Sequence, residues 1–103
     1  MSTFVLTYKG GKAGANEEEQ GAIMAAWGAW FGALGDAVAE VGNPFAGSLS
    51  VATDGSGSDG PGSDLGGYSV LTAASLAEAA ELAKGCPLIG SGGSVDVYEA
   101  IEM

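Results

Sequence analysis

An α+β fold with strands and helices in alternation is predicted by three features of this 103-residue chain. Two stretches carry a helix start signal and a later stop signal, an apolar strand-type run precedes each, and a further strand-type run follows each. Between the halves lies a link of glycine, serine and aspartate, DGSGSDGPGSD, at residues 54–64. The length suits one domain, expected to span residues 1–103, and 47% hydrophobic residues exclude a disordered chain.

The elements follow in order. Residues 3–8 hold Phe4, Val5 and Leu6 side by side, so both faces of this first strand should be covered, as in the middle of a sheet. Residues 9–15 are a glycine-rich turn; GGKAG lacks the spacing of a phosphate loop. Asn16 then caps a helix, with Glu17, Glu18 and Glu19 in its first turn opposing the positive end of the helix dipole. Ile23, Trp27, Trp30, Phe31, Leu34, Val38 and Val41 recur at steps of three and four, which predicts one long helix with an apolar stripe, stopped by Gly42 and Pro44. Gly21, Gly28, Gly32 and Gly35 each cost such a helix about 1 kcal/mol, so close packing against them is expected. Leu49 and Val51 alternate with Ser48 and Ser50, predicting a second strand that ends near Thr53.

The second half has the clearest grammar. Residues 65–72 carry Tyr68, Val70, Leu71 and Thr72, which suit a half-buried pleated surface. Ser75 and Glu78 make a capping box, and Gly85 and Pro87 end the helix it opens. After a turn at residues 90–93, residues 94–103 read as the last strand, with Val95, Val97, Glu99 and Ile101 on one face and Asp96, Tyr98, Ala100 and Glu102 on the other. Strand, helix, strand, strand, helix, strand is the split βαβ, ferredoxin-like order. Right-handed crossovers put both helices on one face of a four-stranded antiparallel sheet and leave the other open. The open face of so small a chain is expected to meet a second copy in a homodimer.

Charge excludes whole classes of function. Thirteen acidic residues stand against three lysines, with no arginine and no histidine, for a net charge of −10. Such a chain repels phosphate and anionic membrane surfaces, so neither nucleic acid nor membrane is an expected partner. Histidine-activated nucleophiles, imidazole metal ligands and bidentate arginine clamps are all unavailable. No run of about 18 apolar residues could span a bilayer, the first residues do not resemble a secretory leader, and the lone Cys86 forms no disulfide within the chain. A cytoplasmic location is expected.

The chemistry left open falls to carboxylates, tyrosines and aromatic walls. Asp64, Asp96 and Glu99 are the candidate acid/base carboxylates, with Glu99 drawn by its apolar neighbours and equally placeable at a solvated strand end. Tyr8, Trp27, Tyr68 and Tyr98 are the candidate ligand-binding side chains, although aromatic residues on a helix stripe also serve as plain core. Calcium at the aspartates of residues 54–64 finds no EF-hand spacing, so no metal or other cofactor is expected. Cys86 follows a helix C-terminus, where a thiolate is disfavoured, and reads as buried packing.

WGAWFGALGDAVAEVGNP at 27–44, DGPGSD at 59–64, LGGYSVLTAASLAEAAELAKGCP at 65–87 and GGSVDVYEAIEM at 92–103 together resemble the YCII-related, DGPF-domain proteins over nearly the whole chain. The resemblance implies a dimeric α/β barrel of ferredoxin-like protomers, in a family mostly without assigned activity. Departures are specific: the phenylalanine of the DGPF signature is Gly62, Asp64 stands at its usual glutamate, and the arginine and proline of the last strand are Tyr98 and Glu99. The histidine and aspartate pair associated with relatives has no histidine here, and Asp36 alone reads as a solvated residue. Two functions stay open. One is a homodimeric small-molecule-binding or accessory module; the other is a lyase- or isomerase-type enzyme that moves a proton by carboxylate on a small aromatic or quinone-like substrate.

Overall fold

The computed structural model describes residues 2–10, 16–46, 49–51, 53–55, 57–59 and 65–101. Its centre is β1 (Ser2–Lys9), hydrogen-bonded on one side to β5 (Leu65–Ala73) and on the other to β6 (Ser94–Glu99), all antiparallel. A short strand β2 (Val38–Glu40) completes the sheet beside β5, giving the order β2-β5-β1-β6. This is the expected ferredoxin-like arrangement, a four-stranded antiparallel sheet with helices.

The strand that fills the β2 position differs from the expectation. Residues 49–51 do form a strand, β3 (Leu49–Val51), but it pairs with β4 (Gly57–Asp59) in a separate two-stranded ribbon. The sheet instead takes Val38–Glu40, which periodicity alone had assigned to the helix. Helix α1 (Glu17–Leu34) stops earlier because Gly35 adopts φ +57° and donates its N–H to the Phe31 carbonyl oxygen. A 3₁₀ turn over Gly35–Ala37 then redirects the chain into β2. The spacing of Val38 and Val41 continues the helix period, but the glycine ends the helix before them.

Both predicted N-caps form. Glu19 N–H donates to Asn16 Oδ1 at 2.9 Å, and at helix α2 (Leu76–Ala83) Glu78 N–H donates to Ser75 Oγ at 3.1 Å. Pro87, expected only to block continuation, also starts a short helix, α3 (Pro87–Gly90), where its missing N–H would have lacked a partner in any case. β6 ends at Glu99 rather than running to the C-terminus.

Alternation sorts the sheet into two faces. Phe4, Leu6 and Tyr8 on β1, Leu71 and Ala73 on β5, and Val97 on β6 face the helices and pack with Trp30, Ala79, Ala83 and Cys86. The opposite face presents Val5, Thr7, Val70, Thr72, Asp96 and Tyr98, whose register pairs Val5 with both Val70 and Tyr98. Gly21, Gly28 and Gly32 correct the close-packing expectation: a Cβ at any of them would meet nothing within 4 Å. These glycines lie on the solvent side of α1. Among the described residues no helix is long and apolar enough to cross a membrane.

Candidate functional site: an aromatic cavity between helix α1 and the sheet edge

A cavity of about 550 Å³ opens where α1 crosses β1 and β5. One wall is the α1 stripe, Ile23, Met24, Trp27 and Phe31. Tyr8 and Ser69 lie on the sheet side with Gly66, Gly67 and Tyr68, and Leu88 of α3 also borders it. The last wall is the strap Val41, Gly42, Asn43 and Pro44, which continues from β2 alongside β5.

Backbone bonds hold that strap in place. Tyr68 N–H donates to the Asn43 carbonyl oxygen at 3.2 Å and Phe45 N–H to that of Gly66 at 2.8 Å, while Phe45 stacks on the Tyr68 ring. Gly42 makes the close approach possible. Its φ is +80°, and a Cβ there would lie 1.8 Å from the Tyr68 carbonyl oxygen.

The aromatic side chains brace one another. Trp27 meets Tyr8 edge to face at 5.0 Å between centroids, and touches Trp30 and Phe31 at 5.8 and 5.9 Å. Such contacts add about 0.5–1.5 kcal/mol each beyond area burial and hold the rings in fixed orientations. Trp30 itself is core: its indole N–H donates to the Leu82 carbonyl oxygen at 3.1 Å.

The polar part of the site is a directed chain. Tyr8 Oη donates to Ser69 Oγ at 2.7 Å, and Ser69 Oγ donates to the Val41 carbonyl oxygen at 2.5 Å, so strand, relay and strap are linked. Burial pushes the Tyr8 hydroxyl up to about 12; the Ser69 hydrogen bond opposes this, and the nearby Cys86 thiol adds to it. Burial likewise raises the Cys86 thiol, against a hydrogen bond with the Leu88 backbone. Both groups therefore keep their protons at neutral pH.

Of the residues singled out from sequence, Tyr8 and Trp27 come together at this cavity, and Tyr68 borders it, although its register with Thr7 turns its ring to the opposite sheet face, where it donates to Glu40 and stacks on Phe45. Tyr98 does not border it: it stands on the far sheet face opposite Val5, 55% exposed. Asp96 is on that face too, paired with Lys9 Nζ at 3.4 Å. Glu99 ends β6, exposed, in register with Phe4. Three positions apart on one strand, Asp96 and Glu99 point to opposite faces, and neither borders the cavity. Asp64 lies outside the described residues, as does most of the acidic link. Among the described residues no three histidine, cysteine, aspartate or glutamate side chains gather as a metal site.

Sequence reasoning missed Ser69 and the strap. The alternation of Gly67, Ser69 and Leu71 on β5 would have put Ser69 on the helix-facing side with Tyr8. Reading Gly42-Asn43-Pro44 as a helix stop concealed the strap.

An α+β sheet with one helix-covered face and an aromatic cavity at its edge defines a ferredoxin-like domain with room for a small molecule. The chain belongs to the YCII-related domain family, whose profile matches residues 1–103, its whole length. No curated protein matches it significantly.

Proposed function

We propose that this protein is a single-domain, homodimeric, cytoplasmic binding module that takes a small, partly apolar molecule into the cavity beside α1, with no reaction assigned. The cavity carries the reading. Its volume, about 550 Å³, falls within the range of small-molecule pockets, and its apolar aromatic lining with few polar groups is what such pockets use. The braced rings of Tyr8, Trp27 and Phe31 mean that little side-chain freedom is lost when a ligand enters.

Dimerisation is supported by the uncovered sheet face. The molecule is only 19 Å across its thinnest direction, about one sheet and one helix layer. Its radius of gyration, 15.1 Å, exceeds the roughly 13 Å of a compact chain of this length. A second copy packed sheet to sheet would cover Val5 and Val70.

The acid/base reading has less behind it, since Asp96 and Glu99 are not among the residues that line the cavity. A thermal-shift screen at fixed protein concentration with small aromatic, quinone-like and carboxylic compounds tests the binding reading. A ligand at a hundred times its dissociation constant adds about 2.7 kcal/mol, a rise of several degrees at this size. Absence of any shift across the three classes would count against the module and turn attention to a macromolecular partner.

A further inference from the structure

The two tryptophans stand one turn apart on α1, and their indole N–H groups have different fates. That of Trp30 is spent in the core, on the Leu82 carbonyl oxygen at 3.1 Å. Trp27 is half-buried on the cavity wall, and its N–H has no hydrogen-bond partner among the described residues. Nor is that N–H sealed from solvent, because Thr7 Oγ1 is the one buried side-chain polar atom without a partner among the described residues. A tryptophan packed among other rings normally finds a partner for this proton. Here Tyr8, Trp30 and Phe31 hold the ring, with centroids 5.0, 5.8 and 5.9 Å away, so the N–H is kept in one orientation.

The other side chains of the lining have committed their protons elsewhere. Tyr8 Oη donates to Ser69 Oγ, and Ser69 Oγ to the Val41 carbonyl oxygen. Tyr68 Oη donates to Glu40 Oε1 on the opposite sheet face. Asn43 is solvent-exposed, and no described lining residue carries a charge. An acceptor that enters this apolar space therefore meets the Trp27 N–H as its ring-held donor. A neutral carbonyl oxygen exchanges one hydrogen bond to water for one to the indole, whereas a hydrocarbon of the same shape strips the N–H of water and returns nothing. A carboxylate loses hydration that one N–H without a cation does not replace, in a chain of net charge −10.

We propose that the Trp27 indole N–H is the group by which the cavity reads its ligand, and that the ligand class is a neutral, partly apolar molecule carrying a carbonyl oxygen, with aryl ketones and amides as the simplest forms. The inference rests on the cavity being a binding site. Within that reading it gives Trp27 a polar task as well as a packing one, and it separates the two tryptophans by function.

Heteronuclear NMR of the isotope-labelled full chain, titrated near neutral pH with acetophenone, with cumene, its hydrocarbon counterpart, and with benzoate, tests both levels. The two tryptophans give two indole N–H signals, assigned with Trp27→Phe. Acetophenone and cumene should both move the backbone amide signals of Tyr8, Trp27, Gly42 and Ser69. Only acetophenone should move the Trp27 indole proton downfield, and the Trp30 indole signal should stay in place under both. Benzoate should bind more weakly than acetophenone. The ratio of acetophenone to cumene affinity, in which the difference in their hydrophobicity cancels, should fall about three- to tenfold on Trp27→Phe, the worth of one hydrogen bond. A Trp27 indole signal that ignores acetophenone while the cavity amides respond would overturn the donor assignment and leave the binding site intact, as would an affinity ratio unchanged by Trp27→Phe. Tighter binding of benzoate than of acetophenone at the cavity amides would overturn the neutral class. Silence of those amides toward all three compounds would overturn the binding reading and this inference with it.

Discussion

Trp30 Nε1 donates to the carbonyl oxygen of Leu82 at 3.1 Å, tying the C-terminal part of α1 to the end of α2 across a separation of 52 residues. The bond fixes the rotation of α1 about its axis. With Trp30 turned toward α2, the stripe one turn earlier places Trp27 over Tyr8, and the cavity wall follows from that placement.

Trp30→Phe should therefore cost about 2–3 kcal/mol, combining a lost hydrogen bond with the volume of half an indole in the core. Denaturant unfolding monitored by far-ultraviolet circular dichroism measures it. Trp27→Phe should cost less, because Trp27 is only half-buried and has no hydrogen bond to a distant element. Equal costs for the two would contradict the assignment of Trp30 to core and Trp27 to cavity.

Two glycines should respond in opposite directions to the same change. At Gly42 an alanine would need φ +80° and a Cβ 1.8 Å from the Tyr68 carbonyl oxygen, so the strap must leave β5. We expect Gly42→Ala to destabilise by about 3 kcal/mol or more and to expose the Tyr68 amide to hydrogen exchange. Gly28 lies in the interior of α1 with open space around it, and Gly28→Ala should stabilise by about 0.5–1 kcal/mol. Paired thermal melts of the two variants make the comparison.

Alkaline pH should weaken the fold through Tyr8. Its folded value is about 12, above the usual tyrosine value of about 10, so below pH 10 the hydroxyl is neutral in both states and contributes no pH dependence. Above that pH the unfolded chain releases the proton first. Stability then falls until the folded hydroxyl also ionises near pH 12, by about 1–3 kcal/mol in total. Urea unfolding at several pH values should show a steeper loss between pH 10 and 12 in the natural chain than in Tyr8→Phe. Parallel curves would sink the assignment.

The uncovered sheet face makes its own prediction. Val70 lies in the middle of β5 on that face, in register with Val5. In a sheet-to-sheet dimer, Val70→Lys would bury a charge at the interface, so light scattering at micromolar concentration should show a dimer mass falling to a monomer mass with circular dichroism retained. A monomer mass for the natural chain would end the dimer reading.

Asp96→Asn should change stability by less than about 1 kcal/mol, because the Lys9 pair is partly solvated on both sides. It should also leave any ligand-induced thermal shift unaltered, since Asp96 does not border the cavity.

Local chemistry made much of this legible in advance. Asn16 and Ser75 announced their helices because an N-cap is satisfied by the amide three residues on, within one turn of chain. The apolar run Phe4, Val5 and Leu6 announced a central strand, and β1 is one, paired with β5 on one edge and β6 on the other, although its Val5 face is uncovered in the single chain. Residues 38–41 were the failure. The spacings to Val38 and Val41 continue the helix period, and only the turn at Gly35, with its positive φ, takes those residues out of the helix.

The sequence by itself determined the alternation of strands and helices, the caps, the family and the absence of guanidinium and imidazole chemistry, all of which are written in residue types and short spacings. Tertiary structure decided the rest: that Tyr8 and Trp27 meet at a cavity while the rings of Tyr68 and Tyr98 lie on the other sheet face, that residues 41–44 form its wall, and that Ser69 orients the Tyr8 proton. These depend on contacts between residues 28 and 61 positions apart, Ser69 with Val41 and with Tyr8. No local periodicity encodes such contacts, because they exist only once β5 lies between β1 and the strap.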